Sequence, residues 1–138
     1  MLLRRKLLWS WTGALVGLMV LLNTAEADVR IDIKNESNED CSIAFHARID
    51  RTKWLTAGWY VFLPGEEGPV ILKDANDIHD VFIYHDCSLT PSEDDEIKTA
   101  WVRTNYKFTD LIPKDKEEGY REATFVRLKG PSFTIDQR

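Results

Sequence analysis

From residue 28 onward the chain alternates apolar and polar side chains. Val29, Ile31 and Ile33 fall on one side of an extended segment and Arg30, Asp32 and Lys34 on the other, the period of two that a half-buried β-strand requires. A polar run at 36–40 interrupts the pattern. Cys41, Ile43, Phe45, Ala47 and Ile49 then share one parity against Ser42, His46 and Arg48, so the two segments predict an antiparallel hairpin. Residues 54–63 predict a third strand, ended by Pro64-Gly65, where proline presets the turn and glycine removes its steric cost. Further extended segments are predicted at 70–72, 79–87, 100–108, 120–128 and 133–135, and no window of a dozen residues beyond 27 sustains a helical stripe. Charged segments at 88–98 and 113–119 break the rhythm as loops or short helical turns. About seven or eight short strands in one body predict an all-β fold, a single antiparallel β-sandwich or partly open barrel.

The first 27 residues follow another rule. Arg4, Arg5 and Lys6 precede a stretch without charge at 7–22, and Ala25-Glu26-Ala27 sets small residues at the two positions a signal peptidase reads. The expectation is a cleaved signal peptide over 1–27 and a single exported domain over 28–138, periplasmic or secreted. As a helix the uncharged stretch reaches about 24 Å, short of a hydrocarbon core of roughly 30 Å, which favours a cleaved signal over a retained membrane anchor, and no stable membrane insertion is expected after cleavage.

Removing the leader sharpens the charge. The whole chain carries −5 from 18 basic and 23 acidic residues; 1–27 hold three of the basic and one of the acidic, which leaves −7 on 28–138. An acidic domain with basic residues scattered along the chain repels a phosphate backbone, so nucleic acid is excluded as a partner and basic or neutral partners are favoured. Export also gives Cys41 and Cys87 an oxidising compartment, where an even pair predicts one disulfide.

Candidate chemistry is concentrated in the aromatics. In 54–63, Leu55, Ala57, Trp59, Val61 and Leu63 share one parity, and Trp54, Tyr60 and Phe62 the other. In 79–87, Val81, Ile83, His85 and Cys87 oppose Phe82 and Tyr84. If these strands are neighbours, Trp54, Tyr60, Phe82 and Tyr84 present an aromatic surface for a sugar or a partner protein. Burial of both faces is the plainer alternative, and Gly58 marks a place where a bulge would shift the parity. His79 and His85, six residues apart in a strand, would stand roughly 20 Å from each other, too far for one metal ion. The Asp74-Ala75-Asn76-Asp77 run lacks the glycine and third oxygen of a calcium hand. No metal or cofactor is therefore expected. No nucleophile elbow or phosphate-cradling glycine loop occurs, so no catalytic residue is selected. Asn35-Glu36-Ser37 matches a glycosylation sequon.

Several of these segments together resemble a bacterial exported family catalogued as domain of unknown function 1036. The similar pieces are Asn35-Glu36-Ser37 closing the first strand, Trp54-Leu55-Thr56-Ala57-Gly58-Trp59-Tyr60, Leu63-Pro64-Gly65-Glu66, Val81-Phe82-Ile83-Tyr84, Tyr106-Lys107-Phe108, and Gly119-Tyr120-Arg121-Glu122-Ala123-Thr124-Phe125. The cysteine pattern departs from that family's, so no disulfide connectivity is carried over. The resemblance implies a small exported bacterial domain and brings no activity with it. Two functions follow as expectations: a noncatalytic envelope domain binding a glycan or protein through the aromatic face, or an acidic inhibitor or immunity-type protein. The second would use the charged loops at 93–96 and 115–118 to block a basic envelope-attacking enzyme.

Overall fold

The computed structural model describes residues 28–112 and 114–136; the expected signal peptide lies outside them. The described residues form nine strands: β1 Val29–Asn35, β2 Cys41–Arg48, β3 Trp54–Phe62, β4 Glu67–Leu72, β5 Val81–His85, β6 Ile97–Arg103, β7 Phe108–Asp110, β8 Tyr120–Arg127 and β9 Ser132–Ile135, with one 3₁₀ turn at Ile78–Asp80. They make two sheets, a three-stranded one in the order β4-β1-β9 and a six-stranded one in the order β6-β8-β5-β2-β3-β7. All pairings are antiparallel except β1 with β9, which run parallel. The expected all-β architecture is present, with one predicted segment, 100–108, divided into β6 and β7 by a bend at 104–106.

The predicted hairpin between the first two strands does not form. β1 pairs with β4 and β9, β2 pairs with β3 and β5, and the two lie in different sheets. The loop between them is held open by its own polar groups. Asn35, fully buried, donates through Nδ2 to the Glu39 carbonyl at 2.8 Å and the Phe62 carbonyl at 2.9 Å, while its Oδ1 accepts from the Ser37 amide and hydroxyl. Those bonds stabilise a crossing from one sheet to the other, since each buried polar group has its partner. The sequon asparagine is thus a structural residue with both amide hydrogens engaged.

Between the sheets lies the larger core. Ile31 and Ile33 of β1, Val70 and Leu72 of β4 and Ile135 of β9 meet Ile43, Phe45, Ala47, Leu55, Val81 and Ile83 of the six-stranded sheet. The Cys41–Cys87 disulfide closes one end of this layer, with the two Cα atoms 5.6 Å apart.

The other face of the six-stranded sheet is apolar too, because the sheet curls into a half-barrel around a second core. Ala44, Phe82, Val102, Phe108, Ala123 and Phe125 fill it. Two hydrogen bonds cross the curl: the Trp59 indole Nε1 donates to the Arg103 carbonyl at 2.7 Å, joining β3 to β6, strands separated by three others in the sheet order, and the Tyr120 hydroxyl of β8 donates to Asp110 Oδ1 of β7 at 3.4 Å. Burial on both faces thus holds for β2, and for most of β3 and β5.

Strand β3 reaches this arrangement through a bulge. Its register on β2 runs Ile43 to Tyr60 and then Ala44 to Gly58, leaving Trp59 as the extra residue. A bulge reverses the side-chain parity beyond it, so Tyr60 joins the inter-sheet core while Trp59 turns toward the half-barrel. Glycine is needed at 58 for close approach. A Cβ there would stand 3.1 Å from Ala44 Cβ and 3.1 Å from Phe108 Cε1. Gly58→Ala is expected to cost about 2 kcal/mol by overpacking, read as a lower urea midpoint at unchanged slope; an unchanged midpoint would show that β7 yields freely.

Candidate binding site

Three of the four sequence-selected aromatics meet in the half-barrel. Phe82 is 2% exposed and belongs to its interior, whereas Trp54 and Tyr84 are half-buried at its ends. Tyr60 is on the opposite face, edge-on to Phe45 at 5.8 Å, because of the bulge. Trp59 takes the place expected of it, 6.0 Å from Tyr84 and 5.9 Å from Phe108.

The two open ends differ in how far their groups are already engaged. At the first, the Trp54 indole stacks on the His46 imidazole at 4.8 Å and carries the Lys98 ammonium 3.4 Å and the Arg48 guanidinium 4.8 Å from its ring centre. His46 in turn bonds Thr56 Oγ1 at 2.8 Å. Burial, reinforced by the Lys98 charge, lowers the His46 pKa to about 4, so the ring is neutral near pH 7. Arg127 lies over Phe82 and pairs with Glu96 at 2.6 Å and Asp80 at 3.8 Å, and Arg48 reaches Asp80 at 3.6 Å. This end is a closed set of stacked and paired groups, with Trp54 committed to its neighbours.

The second end is open. A recess of about 400 Å³ is lined by Trp59, Val61, Ser42, Asp86, Thr104, Asn105, Lys107 and Arg121. Its position follows from the topology. β7 covers β3 only at Thr56–Gly58, and the bend after β6 swings Thr104 and Asn105 away, anchored by the Thr104 amide on the Gly119 carbonyl at 2.8 Å. Arg121, projecting from β8, lies 5.6 Å from the Trp59 ring and 5.4 Å from the Tyr84 ring, close enough for cation–π attraction. Neither Arg121 nor Lys107 has a carboxylate within 4.0 Å among the described residues. Asp86 accepts the Ser42 amide at 2.8 Å through Oδ1, which fixes its orientation at the rim.

Sequence reasoning passed over Trp59, Asn105, Lys107 and Arg121 because no spacing links them. Gly58 before Trp59 was the one signal. The charges, scattered along the chain, are gathered by the fold: Arg48, Lys98, Arg121 and Arg127 all stand over half-barrel aromatics. A domain that is acidic as a whole therefore presents a locally cationic face.

The histidines separate. His79 is exposed in the 3₁₀ turn, and His85 is buried beside Phe133, with ring centres 5.7 Å apart. Its Nδ1 accepts the Cys87 amide at 3.1 Å, and burial holds its pKa below the ordinary value against the opposing pull of Asp86. It lines a second recess of about 540 Å³ with Leu89, Ser92 and Phe133. Among the described residues, no three His, Cys, Asp or Glu side chains gather as metal ligands.

The acidic loop is partly spent within the molecule. Asp95 accepts the Ser92 amide at 2.8 Å and pairs with Lys129 at 3.1 Å, and Glu96 holds Arg127. Only Glu93 and Asp94 of the 93–96 run are left without an ion pair among the described residues. In the other charged loop Glu117 lies 4.0 Å from Lys114.

The chain matches no family model, no curated protein and no solved structure. The resemblance to domain of unknown function 1036 rests on the residues quoted for it.

Proposed function

We propose that this is a noncatalytic exported domain of the bacterial envelope that binds a glycan at the open end of the half-barrel. The observation that carries the reading is the recess itself, where an indole, a carboxylate, a side-chain amide and hydroxyls converge on one rim. Sugars present an apolar face beside a ring of hydroxyls. An aromatic surface matches the first, and fixed donors and acceptors match the second. The strands beneath are buried on both sides, so the rim is held in place before a ligand arrives, which lowers the ordering cost of binding. The disulfide agrees with an oxidising compartment.

Retention on insoluble peptidoglycan and on a glycan array tests this. Trp59→Ala is expected to weaken binding at least about tenfold, and so is Asn105→Ala, an exposed change that leaves the fold intact. Trp54→Ala tests the closed end and is expected to affect stability more than binding. Capture of a cationic envelope enzyme that is lost in salt but unaffected by Trp59→Ala would favour the inhibitor reading instead.

A further inference from the structure

We infer that the sugar held in this recess is an acidic one, carrying a carboxylate that lies between Arg121 and Lys107. The inference rests on the glycan reading and adds the ligand's charge to it. Lys107 and Arg121 both line the recess and Asp86 is the one carboxylate that does, so the recess carries a single excess positive charge inside a domain whose overall charge is negative.

The two cations are placed differently. Arg121 is half-buried, and its position is set by the Trp59 and Tyr84 rings, with Nη1 at 3.5 Å from the Tyr84 hydroxyl. A guanidinium spread over two rings has donors left to meet a carboxylate in its plane. Lys107 is exposed, with its ammonium 5.4 Å from the Tyr60 ring, so its flexible stem is free to follow a charge. Elsewhere on this face Arg127 and Arg48 pair with Asp80 or Glu96. Lys98 also lacks an ion pair among the described residues but sits 3.4 Å over the Trp54 ring at the closed end; Arg121 and Lys107 are the two unpaired cations that line the open recess.

Asp86 and Asn105 supply what a simple anion would not use. Asp86 is committed through Oδ1 to the Ser42 amide, and its second oxygen is an acceptor for a sugar hydroxyl. Asn105 offers both a donor and an acceptor. An inorganic anion would gain nothing from Trp59 and would leave the Asp86 acceptor and Asn105 unused. A neutral sugar would leave the charges of Arg121 and Lys107 unanswered. A sugar acid uses every group.

The test is titration calorimetry on the 28–138 domain with its disulfide intact, using two matched pairs of probes: trigalacturonate against galactotriose, and a saccharide of N-acetylmuramic acid against its N-acetylglucosamine counterpart. The acidic member of at least one pair is expected to bind at least about tenfold more tightly in low salt, in line with a charge-assisted hydrogen bond. That preference should shrink toward unity in Arg121→Gln, and in Lys107→Gln, a change at an exposed position. It should also fall as salt screens the charges. Equal binding of acidic and neutral sugars, both lost in Trp59→Ala, overturns the inference and leaves the glycan reading standing. A preference that survives both charge variants overturns it as well. Absence of binding to any saccharide removes the glycan reading and this inference together.

Discussion

Replacing Cys41 and Cys87 by serine lowers the stability of the domain by about 4 kcal/mol, because the disulfide closes a loop with a sequence separation of 46 and removes that loop's freedom from the unfolded chain. The loop contains β2, β3, β4 and β5 and so crosses both sheets; without the bond, the end of the inter-sheet core that Cys41 and Cys87 close is held by packing and by the hydrogen bonds of Asn35 and Asp86. A domain of this size commonly has a net stability of roughly 5–15 kcal/mol, so the loss is a large part of the whole. It corresponds to a fall in melting temperature of about 15 °C. Urea denaturation of the oxidised protein against the double variant gives the number directly. A loss below about 1 kcal/mol would mean that the unfolded chain is already constrained in this region.

Acid provides the second large effect, with most of it placed between pH 6.5 and 4. His46 is protonated near pH 6.5 in the unfolded chain but only near pH 4 in the folded one, because its buried ring would have to charge between Trp54 and Phe125 and close to Lys98. In that window the unfolded state holds more protons, so the His46 contribution to stability is complete above pH 6.5, is lost as pH drops and changes no further below about 4. The accumulated loss is roughly 3 kcal/mol at 1.36 kcal/mol per unit. His85 adds to it in the same direction, its pKa being lowered chiefly by burial. Asp95 and Glu96, held below their ordinary values mainly by the Ser92 amide and the Arg127 side chain, contribute losses of the same sign at lower pH. Urea midpoints measured at pH 7 and pH 4.5 should differ clearly in the wild-type domain and much less in His46→Gln. A wild-type midpoint that stays constant over this range would show that His46 is protonated in the folded state at little cost.

The period of two in β1, β2 and β5 made the strands readable, since an inward side chain at every second position leaves its mark on the sequence. Two cysteines made the disulfide readable. Pairing was harder. The alternation of Val29, Ile31 and Ile33 is the same whether β1 lies beside β2 or opposite it, and the decision rests with Asn35, whose buried hydrogen bonds span 27 residues to Phe62. The candidate surface was half legible for a similar reason. Phe82, Tyr84 and Trp54 keep the parity that alternation gives them, but a single extra residue at Trp59 exchanges it with Tyr60. The cations at the recess come from β8 and from the bend before β7, and only the order of strands in the curled sheet brings them to one rim.

The parallel pairing of β1 with β9 joins residues near the start of the domain to Ser132–Ile135 at its end. Until those last residues have been made, β1 has a partner on one side only, and its other edge is open to whatever strand comes by. Closure of the small sheet therefore waits for Ser132–Ile135, a late step governed by a contact across about a hundred residues.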